Sequence, residues 1–311
     1  MAYYITIDGG TTNTRICLVK NYEVCDILKY NIGAKAGIDD KNLLKFAIRT
    51  GITDILNKNC LTENHIKRIL VSGMLTSEFG LLNLEHIKTP AGINELHNSL
   101  YETAIPEISD IPIVFIRGVK TACENLGSSD MMRGEETELM GLLDENQKNC
   151  VFLLPGSHNK IIITDENGRI TDFSTTLTGE MIEALSKNTI LKDAVNLENA
   201  TLDDKYLILG YDYCYENGLN KALFKTRVLK NMFSKSNSEV YSFFMGVVLF
   251  GEIESIIKLK PEKIIIGGKK QIKIAVSTIL KNKTDADITV LADEKIDNCV
   301  ALGAVKIYEL L

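Results

Sequence analysis

The stretch YYITIDGGTTNTRICLV, residues 3–19, decides how this chain is read. It begins as one strand, YYITI, and ends as another, RICLV, with DGGTTNT between them. A plain hairpin needs only two or three turn residues. This connection instead carries one acid, two glycines, three threonines and an asparagine. Gly9 and Gly10 let the backbone approach a ligand and are expected at positive φ. The hydroxyls of Thr11 and Thr12 and the amide of Asn13 add donors, and successive N–H groups in such a turn make a concave anion site. Asp8, at the strand end, suits a Mg²⁺ held through water beside phosphates. The plain alternative is a glycine-rich hairpin with Asp8 as its turn former.

The same layout returns further along. In VFLLPGSHNKIIITDENGRITDFST a strand meets a polar loop, then a second strand, a turn and a third strand. The loop offers Gly156, Ser157, His158, Asn159 and Lys160, the lysine being a point charge suited to a phosphate oxygen. Alone this is a β-turn with an exposed lysine. As a second copy of the opening module, it suggests two loops gripping one polyphosphate. A third loop, IIIGGKKQ, sets Gly267 and Gly268 after a buried strand, where α/β sheets present ligands and where bare backbone admits a flat ring.

Between these loops the pattern is α/β. Residues 41–58 have helical periodicity, IKRILVSGM and PIVFIRG read as buried strands, and GEETELMGLLD is a helix with acids in its first turn. Residues 181–260 read as mostly helical, ending in a long apolar helix that contains Gly246 and Gly251. Glycines there cost stability, so close packing or a ligand is expected. KIIIGG and ADITVL are further strands, and DEKIDNCVALGAVKIYELL is a closing helix.

At 311 residues the chain exceeds one comfortable core, so two domains are expected. A net charge of −6 without a basic block argues against nucleic acid. No uninterrupted apolar run long enough for a membrane span appears, and MAYYITIDGG enters a strand directly without a signal pattern, so a cytoplasmic protein is expected. Seven cysteines are scattered without a CxxC pair and read as free buried thiols; four histidines lack metal-ligand spacing.

IDGGTTNTR, MRGEETELMG, LPGSHNKI, LTGEM, FFMGVVLFGE and IIGG follow one another along nearly the whole chain. In these motifs the sequence resembles the 2-keto-3-deoxy-galactonokinases. MRGEETELMG and LPGSHNK are the specific parts, whereas DGGTTNT is shared with sugar kinases, actin and 70-kDa heat-shock proteins. The resemblance implies an actin-like ATPase fold, two ribonuclease-H-like α/β domains with a central cleft, which would explain the repeated module. It implies residues 1–120 as the sugar-acid domain with the first phosphate loop. Residues 121–311 would carry the second phosphate loop and the adenosine site, with the last helix packing back on the first domain. The implied reaction is phosphorylation of the 6-hydroxyl of 2-dehydro-3-deoxy-D-galactonate by ATP with Mg²⁺, in galactonate catabolism.

Carried over residue by residue, Asp8 would orient Mg²⁺ through water. Gly9, Gly10, Thr11, Thr12 and Asn13 would form the first phosphate loop; Gly156, Ser157, His158 and Lys160 the second; Gly267 and Gly268 the adenosine turn. Related sugar kinases have an aspartate as general base after a glycine; here Glu135 stands there, with Glu136 as competitor. Arg133 is the expected anchor of the substrate carboxylate, against the alternative of a surface ion pair. Ser72, Gly73 and Met74 in SGMLTS, and TPAGINEL, would add substrate-side walls. The partner is then a small sugar acid, with neither nucleic acid nor membrane, and with a homodimer among the open states. Two other readings stay open: a type III pantothenate kinase, which shares the opening but lacks MRGEETE, and a non-catalytic actin-like ATP-binding protein.

Overall fold

The computed structural model describes residues 3–123, 125–144, 147–198, 200–268 and 270–311. Its contacts divide the chain into two compact units. The first comprises Met1–Lys148, Thr164–Asp172 and Glu294–Leu311, the second Asn149–Ile163 and Phe173–Asp293. Residues 121–148 therefore cluster with the first unit, where the sequence suggested a boundary at 120. The physical reason is pairing: MRGEETELMG follows a strand and opens a helix that both pack within the first unit.

The first unit carries β1 (Tyr3–Gly9), β2 (Thr14–Lys20), β3 (Glu23–Tyr30), β4 (Ile66–Gly73), β5 (Ile87–Lys88), β6 (Tyr101–Ile105), β7 (Ser109–Phe115), β8 (Val119–Lys120) and β9 (Met131–Met132). Its main sheet has the order β3-β2-β1-β4-β7-β6. The first three strands are an antiparallel meander, while β4 and β7 add in parallel beside β1. Parallel neighbours need a crossover, and the helix Lys41–Lys58 provides the one from β3 to β4. Asp40 caps it by accepting from the Asn42 N–H at 2.8 Å. Leu44, Ile48, Ile52 and Ile55 recur at helical spacing and are buried with Ile5, Ile7, Ile16 and Leu18 from the sheet. A small second sheet, β5-β8-β9, lies outside the pattern read from the sequence.

The second unit carries β10 (Val151–Leu154), β11 (Asn159–Thr164), β12 (Ile170–Thr176), β13 (Lys263–Ile266) and β14 (Asp287–Val290), although part of the β11–β12 hairpin clusters with the first unit. Its order is β12-β11-β10-β13-β14. This is the order of the first five strands of the main sheet of the first unit, again with parallel pairing from the central strand onward. The repeated module is thus a repeated topology.

Helix Asn237–Lys258 is long and apolar enough, with mean hydropathy 1.6 over its best window, to meet the length and composition of a membrane span. It is instead mostly buried in the core of the second unit, with Val240, Phe244, Val248 and Ile253 among that core's residues. Its Gly246 answers the question raised by the sequence. A Cβ there would lie 2.0 Å from the Leu207 carbonyl oxygen, and one at Gly210 would lie 2.1 Å from that of Phe243. This helix and Asp204–Asn217 therefore cross backbone to backbone. Gly251 meets nothing within 4 Å. The first unit repeats the device. Between the helices Glu135–Leu142 and Asp293–Glu309, a Cβ at Gly141 would come 1.8 Å from the Cys299 carbonyl oxygen, and one at Gly303 2.0 Å from that of Thr137.

None of the seven cysteines is in a disulfide, but only Cys17, Cys150, Cys214 and Cys299 are buried. Cys25, Cys60 and Cys123 are exposed, on the strand edge and turns, which corrects the expectation of uniformly buried thiols.

Candidate active site

In the first unit, β1 and β4 run parallel, so their ends present residues side by side: Asp8 opposite Ser72 and Gly9 opposite Gly73. On its other side Asp8 faces Arg15 across the β1–β2 hairpin. Gly73 has φ 75, and a Cβ there would lie 2.6 Å from the Gly9 carbonyl oxygen and 2.9 Å from Asp8 Oδ1. Gly134 has φ 107, and its Cβ would lie 3.3 Å from the Gly73 Cα. Two left-handed glycines stacked in this way bring the start of helix Glu135–Leu142 against the end of β1. Asp8 and Glu135, far apart in sequence, become electrostatic neighbours. Burial pushes the Asp8 carboxyl up to about 6; Arg15 opposes the shift and Glu135 adds to it.

Glu136 and Glu138 follow on the same helix. Burial, with the charge of Glu135, raises each to about 8. Glu136 is fully buried and turned back on its own helix start. Both carboxylate oxygens accept the Gly134 N–H at 2.9 Å, and the Thr137 hydroxyl donates to one of them. It caps the helix and shows a substrate no accessible oxygen. Glu135 is half-buried, and its carboxylate accepts the Arg133 N–H at 3.1 Å.

The first loop is braced from outside. The Gly10 N–H donates to the Asn13 carbonyl at 2.8 Å, and Ala34 and Lys35 N–H groups donate to the carbonyls of Gly10 and Thr11 at 3.0 and 2.9 Å. Gly33 sits flush beneath, since a Cβ there would come 2.5 Å from the Gly10 carbonyl oxygen. Thr11, Thr12 and Asn13 are exposed. Neither Gly9 nor Gly10 takes positive φ, contrary to expectation. Gly9 is still in the extended strand, and its constraint is space: a Cβ would lie 2.3 Å from Leu75 Cγ.

Arg133 is not a surface ion pair. Its guanidinium donates to the Thr76 hydroxyl at 2.7 Å and the Leu84 carbonyl at 2.6 Å, and approaches His86 Nδ1 at 3.4 Å. Burial lowers its pKa from the ordinary arginine value, and Arg117 lowers it further. Both terminal nitrogens are thus already engaged, so a preset bidentate fork for a carboxylate is not present; what is fixed is a half-buried positive charge. Ser72 is buried and Met74 half-buried beside it. In TPAGINEL, Ala91 bridges to Ile170 and the Thr89 hydroxyl accepts the Ala122 N–H, so this segment ties loops together.

The second loop belongs to the second unit. The Gly156 N–H donates to Asn159 Oδ1 at 2.9 Å, and the Asn159 amide donates to both oxygens of Glu252 at 3.1 and 2.8 Å. The hydroxyls of Thr176 and Thr178 donate to Glu252 as well, at 2.9 and 2.5 Å. Burial raises the Glu252 pKa, and these donors oppose it. Gly179 lets its helix start approach, since a Cβ there would lie 2.1 Å from the Gly156 carbonyl oxygen. Ser157 and His158 are exposed, with His158 Nε2 3.0 Å from Glu180. Lys160 departs from expectation: it lies in β11, is buried, and its ammonium donates to the Thr175 hydroxyl at 2.7 Å. Paired with Leu154, it sits one step inside the strand rather than on the loop. Gly268 has φ 70, and a Cβ there would lie 2.2 Å from the Pro155 carbonyl oxygen, so the third loop abuts the second. The Gly267 N–H donates to the Leu153 carbonyl at 2.9 Å.

Arg15, Glu138 and Glu252 were missed by sequence reasoning. Arg15 could have been found by counting across the hairpin; Glu138 and Glu252 carry no local signal, since only tertiary burial marks them.

A model of the 2-keto-3-deoxy-galactonokinase family matches residues 8–304. The chain belongs to this family. A protein named a probable 2-dehydro-3-deoxygalactonokinase of Rhizobium meliloti (strain 1021) is 29% identical over 197 residues, which is 62% of this chain and 59% of that protein. The chain's match thus spans less than two thirds of that relative. The crystal structure of a candidate 2-dehydro-3-deoxygalactonokinase from Sinorhizobium meliloti superimposes with TM-score 0.78 at 22% identity, covering 99% of each chain. The activator of 2-hydroxyisocaproyl-CoA dehydratase from Clostridium difficile, solved with bound ADPNP, gives TM-score 0.50 at 12% identity over 99% of this chain and 95% of that one. These likenesses show the fold alone, an α/β architecture of the actin-like ATPase type. The 2-keto-3-deoxy-galactonokinase match begins at Asp8 and runs past Glu135 and Glu252.

Proposed function

We propose that the protein transfers the γ-phosphoryl group of ATP to the 6-hydroxyl of 2-dehydro-3-deoxy-D-galactonate, as a cytoplasmic step of galactonate catabolism. The observation that carries this reading is the convergence of Asp8 and Glu135 at two stacked glycines, in a chain matched to this kinase family over residues 8–304. The exposed Gly10–Asn13 turn supports a phosphate contact in the first unit, and the Ser157–His158 loop supports one in the second.

Phosphoryl transfer needs placement and charge neutralisation more than covalent help. Glu135 would accept the proton of the sugar 6-hydroxyl as the O–P bond forms. Its acceptor bond from the Arg133 N–H holds the carboxylate in place. Asp8 would orient Mg²⁺ through water. Hard carboxylate oxygens are the donors Mg²⁺ takes, and a cation would relieve the repulsion between Asp8 and Glu135, so the residues fit the ion. When bound, Mg²⁺ would neutralise charge on the polyphosphate. Gly156, Ser157 and His158 would contact ATP, Gly267 and Gly268 would underlie adenosine, and Lys160 would act from within the strand by holding Thr175.

The test is a coupled assay of ADP release with 2-dehydro-3-deoxy-D-galactonate, its gluconate epimer and pantothenate, each with Mg²⁺ and ATP. Turnover dependent on the galactonate acid is expected. Turnover with pantothenate alone, or ATP consumption indifferent to every acceptor, would overturn the reading.

A further inference from the structure

The short sheet β5-β8-β9 does more than close the first unit. Ile87 pairs with Val119 in parallel and Val119 with Met132 in antiparallel register. One step beyond these pairs, His86, Gly118 and Arg133 fall in a row. Gly118 is the bare position between them: a Cβ there would lie 2.7 Å from Arg133 Cγ and 2.7 Å from His86 Cδ2. The two side chains are pressed against it and against each other. A guanidinium only donates, so His86 Nδ1, 3.4 Å from Arg133 Nη2, acts as acceptor. Burial, Arg133 and Lys120 push the His86 pKa down to about 4, so the ring is neutral near pH 7 and its proton sits on Nε2.

A cavity of about 340 Å³ opens here, lined by Asn83, Leu84, Glu85, His86, Lys120 and Arg133. A second of about 360 Å³ shares Lys120 and adds Lys88. Arg117 adds to the positive field by donating to the Glu85 backbone carbonyl at 3.1 Å. Among the described residues, no carboxylate comes within ion-pair distance of Lys120. The cavity thus combines a half-buried charge on Arg133, an exposed one on Lys120 and a neutral ring donor. Glu85 and Asn83 are partners for hydroxyl groups rather than for a second anion.

We propose that this cavity is the subsite for the carboxylate end of the sugar acid, with Arg133 supplying fixed charge, Lys120 the direct ion pair and His86 Nε2 a hydrogen bond. This rests on the kinase reading above and names which residues select an acidic over a neutral sugar. The chain distance is consistent with it. Arg133 and Glu135 are two residues apart, so their Cα atoms lie at most about 7 Å from each other, and the cavity cation and the proposed base stand on one short segment.

The experiment is steady-state kinetics of Lys120→Gln, Lys120→Glu and His86→Gln against wild type, with the sugar acid and with its neutral C1 amide. Lys120 is exposed, so its variants should fold, and melting curves check this. KM for the acid should rise at least tenfold in Lys120→Gln and more in Lys120→Glu, with KM for ATP within twofold. The amide should lose far less. If wild type turns over the acid and the Lys120 variants keep its KM, the subsite is elsewhere while the kinase reading stands. If wild type shows no acid-dependent turnover, both fall.

Discussion

At the scale of single residues, the proposed chemistry turns on Asp8. Its carboxyl is held near 6 by burial, so without a metal it is partly protonated in mildly acidic solution. A group that must be ionised loses its function as pH falls through its pKa. Activity should therefore decline below about pH 6, and saturating Mg²⁺ should move that limb to lower pH. A limb insensitive to Mg²⁺ would detach Asp8 from the metal. Asp8→Asn should fold and lose several powers of ten in turnover. Glu135→Gln keeps shape but accepts no proton, and should lower kcat by roughly 10²–10⁴ with little change in acid binding. Near-normal turnover in that variant would move the base elsewhere. Glu136 is a poor successor, because its oxygens are buried on the Gly134 N–H.

At the scale of elements, the strands and the main helices were legible because their patterns are distinct: short, continuously buried apolar runs in β1 and β2, helical spacing in Lys41–Lys58. The loops declared themselves through glycine and hydroxyl content. What the sequence could not give was which way a side chain turns. Lys160 looked like a loop cation and is a buried strand residue; Arg133 looked like an open fork and is engaged by Thr76 and Leu84. Two-residue strands such as β5 and β8 are too short for any period, so the cavity beside them was invisible. Glu252, deep in an apolar helix, shapes the second loop through Asn159. Glu252→Ala would strand two buried donors, the Asn159 amide and the Thr178 hydroxyl, with a stability loss of about 1–3 kcal/mol for each group left unsatisfied. KM for ATP should rise more than KM for the acid. The reverse pattern would mean that this loop serves the sugar.

At the scale of the whole molecule, the buried acids of the first unit set a pH dependence of stability. Glu136 and Glu138 are raised from ordinary carboxylate values to about 8. The folded state then binds more protons than the unfolded chain between about pH 4.5 and 8, so stability falls as pH rises through that window. Glu138→Gln resembles the protonated form. In metal-free buffer it should raise Tm at pH 8.5 and change it little at pH 5; an equal gain at both would show that the charge of Glu138 plays no part.

The glycine crossing of the helices Glu135–Leu142 and Asp293–Glu309 has a mechanical meaning. A layer of interlocking side chains can yield through rotamer changes, whereas two backbones in contact have no such give. Gly141 and Gly303 therefore act as a stop that indexes how far along its axis the Glu135 carboxylate sits. One methyl group at 303 would meet the Thr137 carbonyl at 2.0 Å and must push the helix off its stop. Gly303→Ala should cost about 1–3 kcal/mol and lower kcat more than it raises either KM, although residue 303 touches no substrate. Alignment of the proposed base is thereby set by the absence of two side chains, a form of precision that a screen for polar or reactive groups would pass over.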